Sequence, residues 1–170
     1  MSFYTTSNGS VFESFAVYAE VTQRDARLFE ANEGLTEQVV NAMLKQSSQR
    51  LLSMIKATDW WKEYNFTRDS SLNNDSRLVP DVNPFQIDGR EQEFKDLNIF
   101  HCLSDYLLPR TADFGNPESA EMEKMKFYRE QGQDLFKIII ETGDWYDYSN
   151  NGTIAYTEKS PTRLNLVRVR

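Results

Sequence analysis

The chain has 170 residues, 39% apolar and 13% aromatic, with 19 basic side chains against 26 acidic ones and a net charge of -7. That length gives one ordinary domain with a real core and is short for two. No apolar run approaches the roughly 20 residues of a membrane span, and an acidic surface argues against general nucleic-acid binding. The opening MSFYTTSNGS lacks the basic and apolar regions of a secretion signal, and the lone Cys102 fits a reducing, cytoplasmic interior.

Charge is unevenly placed. Residues 159–170 carry Lys159, Arg163, Arg168 and Arg170 with no acid, so 15 basic residues face all 26 acidic ones in the rest of the chain. An acidic body therefore bears a basic tail.

The first 21 residues read as an N-terminal arm with a short strand near Phe15–Val21, where apolar residues alternate. Thr22 and Asp25 suggest a cap opening a short helix to about Ala31. Thr36 can cap a longer helix, on which Val40, Met43, Leu44, Ser47, Leu51, Met54 and Ile55 form one stripe over about five turns. Trp60, Trp61, Tyr64 and Phe66 come where that helix should end, and are assigned to packing or subunit contact. From Thr67 to Gly89 two prolines and two Asn-Asp-Ser clusters indicate a long loop, a candidate interaction element.

A third helix is expected from Glu91 to Leu108, stopped by Pro109, with apolar residues around nearly its whole circumference. Asn116 and Pro117 can open a fourth, whose stripe Met125, Tyr128, Gly132, Leu135 and Ile139 runs to a glycine stop at Gly143. Gly132 in mid-helix suggests a close approach of another helix. The expected fold is mainly α: a small bundle of three long helices and a short one over residues 22–146, then a C-terminal β-hairpin and extended tail over 147–170.

The chemistry of the sequence points away from an enzyme. His101 is the only histidine, and Cys102 beside it projects about 100° away on the same helix, so the two cannot form a nucleophile and base. Neither a P-loop, a dinucleotide fingerprint nor a nucleophile elbow occurs. No catalytic residue, cofactor or assigned metal site is expected.

The sharpest motif is DYSNNGTIAYTE at 147–158. Asp147, Ser149, Asn151, Gly152, Ile154 and Glu158 occupy positions one, three, five, six, eight and twelve of a calcium loop. Pro161 leaves no room for an exiting helix, and two carboxylates promise only weak affinity. Asn151-Gly152 is also the preferred type I′ turn between strand-prone flanks, and a hairpin is the reading adopted for this stretch. A calcium-binding regulatory module, with Asp147, Ser149, Asn151, Thr153 and Glu158 as ligands, stands as the alternative function. The tail RLNLVRVR is β-prone and lies after a proline; Arg163, Leu164, Leu166, Val167, Arg168, Val169 and Arg170 form a segment suited to pairing with another chain, its arginines meeting acidic or phosphate groups.

The order of these features, a capped helix pair, the apolar helix ending DYLLPRT, the segment NPESAEMEKMKFYREQGQDLFKIIIETGDWYDYSNNGT and a basic β-prone tail, resembles the head-to-tail connector (adaptor, or neck) proteins of tailed bacteriophages. The resemblance covers about residues 22–170. It implies a helical-bundle protein of the virion neck, assembled in the host cytoplasm as a ring, commonly a dodecamer. In such a ring the C-terminal segment of each copy, here Arg163–Arg170, reaches into the portal protein while other surfaces receive the next neck or tail completion protein. DNA passes through the ring without sequence recognition, past an acidic wall, and no membrane is involved.

Overall fold

The computed structural model describes residues 5–7, 11–30, 32, 34–112, 114–115 and 119–159. They are mainly helical. In chain order come β1 (Thr5–Ser7), β2 (Val11–Ser14), α1 (Tyr18–Arg24), α2 (Ala26–Glu30), α3 (Glu37–Ala57), α4 (Asp59–Arg68), α5 (Glu91–Cys102), α6 (Leu108–Thr111) and α7 (Ala120–Thr142). The chain divides into two compact units, one formed by Met1–Leu51 and Arg90–Ile138, the other by Leu52–Gly89 and Ile139–Arg170.

In the first unit β1 and β2 pair antiparallel, Thr6 opposite Phe12 and Ser7 opposite Val11, with an irregularity between Thr5 and Thr6. β2 delivers Phe15 into the core, where it packs on Phe94 with ring centroids 5.3 Å apart and donates its backbone N–H to Ser48 Oγ. α1 begins at Tyr18, four residues before the expected start. Thr22 is not its cap: its hydroxyl donates back to the Tyr18 and Ala19 carbonyls, and Glu20 instead reaches back to the Val17 N–H. Asp25, at the joint between α1 and α2, is buried and receives both a bidentate contact from Lys124 Nζ and the Tyr128 hydroxyl. The core gathers Ala16, Val21 and Leu28 with Val40, Met43 and Leu44 of α3, Ile99 and Cys102 of α5, and Met125 and Tyr128 of α7. Each such fully buried aliphatic side chain contributes roughly 1.5–3 kcal/mol. The apolar stripes expected on α3 and α7 are therefore the faces that build this core.

α5 does not stop before Pro109. It widens into a π-helical turn over Leu103–Leu107, in which the Leu108 N–H bonds the Leu103 carbonyl five residues back, and then resumes as α6 to Thr111. Proline lacks an N–H and its ring crowds the carbonyl four residues earlier. The wider turn accommodates that conflict, so the helix continues past the stop expected at Pro109. Gly132 does mark a close helix approach: a Cβ there would lie 3.5 Å from Phe100 Cβ and 3.7 Å from His101 Cδ2. Asn116 and Pro117, the expected opening of the fourth helix, lie outside the described residues; α7 is capped in part by the Ser119 hydroxyl, which accepts the Met122 N–H.

In the second unit the aromatic stretch forms a helix of its own. Thr58 ends α3 and caps α4, its hydroxyl donating to the Ile55 carbonyl and accepting the Trp61 N–H. The segment expected as a structureless loop is tied down: Asp69 and Asn83 cap single 3-10 turns, Val79, Val82 and Ile87 are buried, and Ile87 bridges Tyr146. Burial of apolar residues at intervals, unreadable as a period, is what orders it.

Candidate functional site

The second unit holds the residues on which the functional expectations converge. Trp60, Trp61 and Tyr64, spaced to share one side of α4, stack with the residues just beyond α7. Trp60 meets Tyr64 at 4.6 Å and Trp145 at 5.1 Å between centroids, and Trp61 meets Tyr146 edge-on at 4.9 Å. Trp61 also donates its indole N–H to the Pro80 carbonyl at 2.9 Å. Such pairs add about 0.5–1.5 kcal/mol each to the area they bury. Burial pushes the Tyr146 phenol up to about 12 and raises Tyr64 as well, against the opposing charge of Arg68, so both remain neutral at physiological pH.

Glycines admit the backbone into this cluster. α7 ends at Gly143 in the left-handed conformation, φ +64°, which a glycine adopts without Cβ strain. A Cβ there would overlap the Lys159 carbonyl and lie 3.1 Å from the Trp60 ring. Asp88 and Gly89 donate backbone N–H groups to the Trp145 carbonyl, and Asp147 donates to the Gln86 carbonyl, so the chain leaving α7 is laced to the 84–89 segment.

Residues 147–158 do not form the expected hairpin. They curl around the Asp147 carboxylate, which accepts the Gly152 N–H at 2.7 Å and the Ser149 hydroxyl at 3.3 Å. Glu158 closes the curl, accepting the Ser149 N–H at 2.9 Å and the Ala155 N–H at 2.8 Å at the start of a single 3-10 turn, Tyr156–Glu158. Asn151 Oδ1 accepts the Thr153 N–H and hydroxyl. The hairpin reading fails because these carboxylates capture backbone N–H groups that cross-strand carbonyls would otherwise take. Asp147 and Glu158 are only 2% and 7% exposed.

Arg68 completes the arrangement. Its guanidinium lies 3.5 Å over the Tyr64 ring and donates to the Thr157 carbonyl at 2.8 Å, holding the chain next to Glu158. Sequence reasoning missed Arg68 and Gly89; the placement of Arg68 four residues after Tyr64 on a helix was the one available signal for the former. Of the alternative ligand set, Asp147, Ser149 and Glu158 are joined by hydrogen bonds, while Asn151 and Thr153 bond each other. Among the described residues no three acidic, histidine or cysteine side chains converge on a metal-sized point. Arg163, Leu164, Leu166, Val167, Arg168, Val169 and Arg170 lie outside the described residues.

No family model, curated protein or solved structure matches the chain.

In the first unit, His101 is set against Asp105, with Nδ1 3.7 Å from the carboxylate that also meets Arg50 at 3.1 Å and Arg129 at 3.5 Å. Burial lowers the His101 pKa, opposed by Asp105. Cys102 is fully buried and its thiol is pushed up to about 12 by that burial, far from the thiolate a nucleophile needs. The two side chains serve packing and an ion cluster.

Proposed function

We propose that this chain is a structural adaptor of a phage neck, forming a ring that docks on the portal protein through its C-terminal tail and receives the next neck or tail protein on other surfaces. The observation that carries the reading is the anchored root of that tail. Immediately before the basic segment, Thr157 is held by Arg68, Glu158 is buried with two backbone N–H groups on its carboxylate, and the Lys159 carbonyl rests against Gly143. A docking arm gains affinity when little order remains to be imposed at its base. The aromatic bed beneath residues 145–158 supplies that order, while Tyr156 stands 90% exposed beside the root, a large ring open to a partner. The acidic body and basic arm suit repeated complementary contacts around a closed ring.

The test is binding to the purified portal ring, read by size-exclusion chromatography with light scattering, comparing the full chain with one ending at Lys159. A ring complex formed only by the full chain supports the reading. Equal binding by both chains, or by neither, removes the tail from the docking role.

A further inference from the structure

The 147–158 loop has a feature that anchoring does not require. It buries two carboxylates a few ångströms apart, bridged through one serine, yet among the described residues neither forms an ion pair. Buried carboxylates are ordinarily matched by a basic group or a cation. Arg68, the nearest base described, donates instead to the Thr157 carbonyl and the Tyr64 carbonyl.

The oxygen donors have the spacing of a calcium loop: Asp147, Ser149, Asn151, the Thr153 carbonyl and Glu158 at positions one, three, five, seven and twelve, with Gly152 in its left-handed turn at position six. Each carboxylate offers about four lone-pair sites, and the hydrogen bonds found here occupy two on Asp147 and two on Glu158. Capacity for a cation remains on both.

A second observation lies outside the loop. Tyr64 is fully buried, and its hydroxyl has no hydrogen-bond partner among the described residues. Its ring meets that of Tyr148 at 5.9 Å, and its hydroxyl is within electrostatic reach of Glu158. An orphaned buried hydroxyl costs about 1–3 kcal/mol unless a water or ligand oxygen takes its bond. A cation-bound water, common at one position of such loops, is a group of that kind.

We infer that the 147–158 loop binds one hard divalent cation of calcium's size through Asp147, Ser149, Asn151, Thr153 and Glu158, with Tyr64 facing its hydration. Two carboxylates place it in the weak class, with a dissociation constant on the order of 10⁻⁴ to 10⁻³ M. An irregular loop of mixed carboxylate, hydroxyl, amide and carbonyl oxygens suits the flexible coordination of calcium over the octahedral demand of magnesium. This goes beyond the adaptor reading and does not depend on it.

The experiment is terbium luminescence on the full-length chain, sensitised by Trp145 and Tyr148 beside Asp147, with calcium and magnesium as competitors. The expected result is a saturable signal displaced by calcium well before magnesium, and weakened at least tenfold in Glu158→Gln. Asn151 is exposed, so Asn151→Ala tests the same site without disturbing the fold and should weaken binding several-fold if Glu158→Gln misfolds by near-UV circular dichroism. A signal that never saturates, or one unchanged in Asn151→Ala, overturns the site. Portal binding by the tail is read in a separate assay, so either proposal can fail alone.

Discussion

Replacing Gly143 by alanine perturbs one point where the end of α7, the aromatic stack and the root of the tail meet. Two costs add. A non-glycine residue in the left-handed region costs about 1–2 kcal/mol. The new Cβ also overlaps the Lys159 carbonyl and presses on Trp60 at 3.1 Å, and overpacking of this kind costs about 1–3 kcal/mol. Gly152 supplies the internal control, because it too has positive φ, at 80°, but a Cβ there meets nothing within 4 Å. Gly152→Ala should therefore lose about 1–2 kcal/mol and Gly143→Ala about 2–5 kcal/mol, corresponding to Tm losses of roughly 2–8 °C and 4–20 °C in a chain of this size. All three tryptophans, Trp60, Trp61 and Trp145, belong to the second unit, so thermal unfolding monitored by tryptophan fluorescence reads the affected unit selectively. Equal losses in the two variants would refute the contact between Gly143 and the root of the tail.

Three further outcomes are expected in the first unit. Gly132→Ala should raise stability by up to about 1 kcal/mol, since the added methyl meets Phe100 and His101 at ordinary contact distance; a lower Tm would show the helices to be closer than described. Asn98 is fully buried with neither amide atom hydrogen-bonded among the described residues, so Asn98→Leu should gain about 1–2 kcal/mol in urea unfolding, and a loss would mean the amide is satisfied. Because burial holds the His101 pKa below its ordinary 6.5, the unfolded chain takes up that proton first as pH falls. Its contribution is thus present above about pH 6.5 and lost below it; the shift in urea midpoint between pH 7.5 and 5.5 should shrink in His101→Gln, and an unchanged shift would remove His101 as the cause.

Much of the helical architecture is legible in the sequence because it rests on local rules. The stripe from Val40 to Ile55 predicts α3, and Gly143 ends α7 for the reason a left-handed C-terminal residue favours glycine. The failures come where tertiary partners decide. The 67–89 segment has no period, yet Trp61 bonding the Pro80 carbonyl and Ile87 bridging Tyr146 hold it to residues 19 and 59 positions away along the chain. Within DYSNNGTIAYTE the turn-forming Asn151-Gly152 pair suggests a joint between strands. The deciding interactions are instead side chain to backbone, from Asp147 and Glu158 to N–H groups up to nine residues distant, which strand propensity does not register.

The π turn at Leu103–Leu107 carries a different kind of information. It is the mark a single extra residue leaves in a helix that absorbed it without breaking. Removing one residue there would restore a regular ladder but rotate everything beyond it by about 100°, carrying Leu107 and Leu108 out of the core they now fill. The reading frame of the packing, rather than that of the hydrogen bonds, fixes the length of this segment. Deletions and insertions inside it should be far more damaging than substitutions.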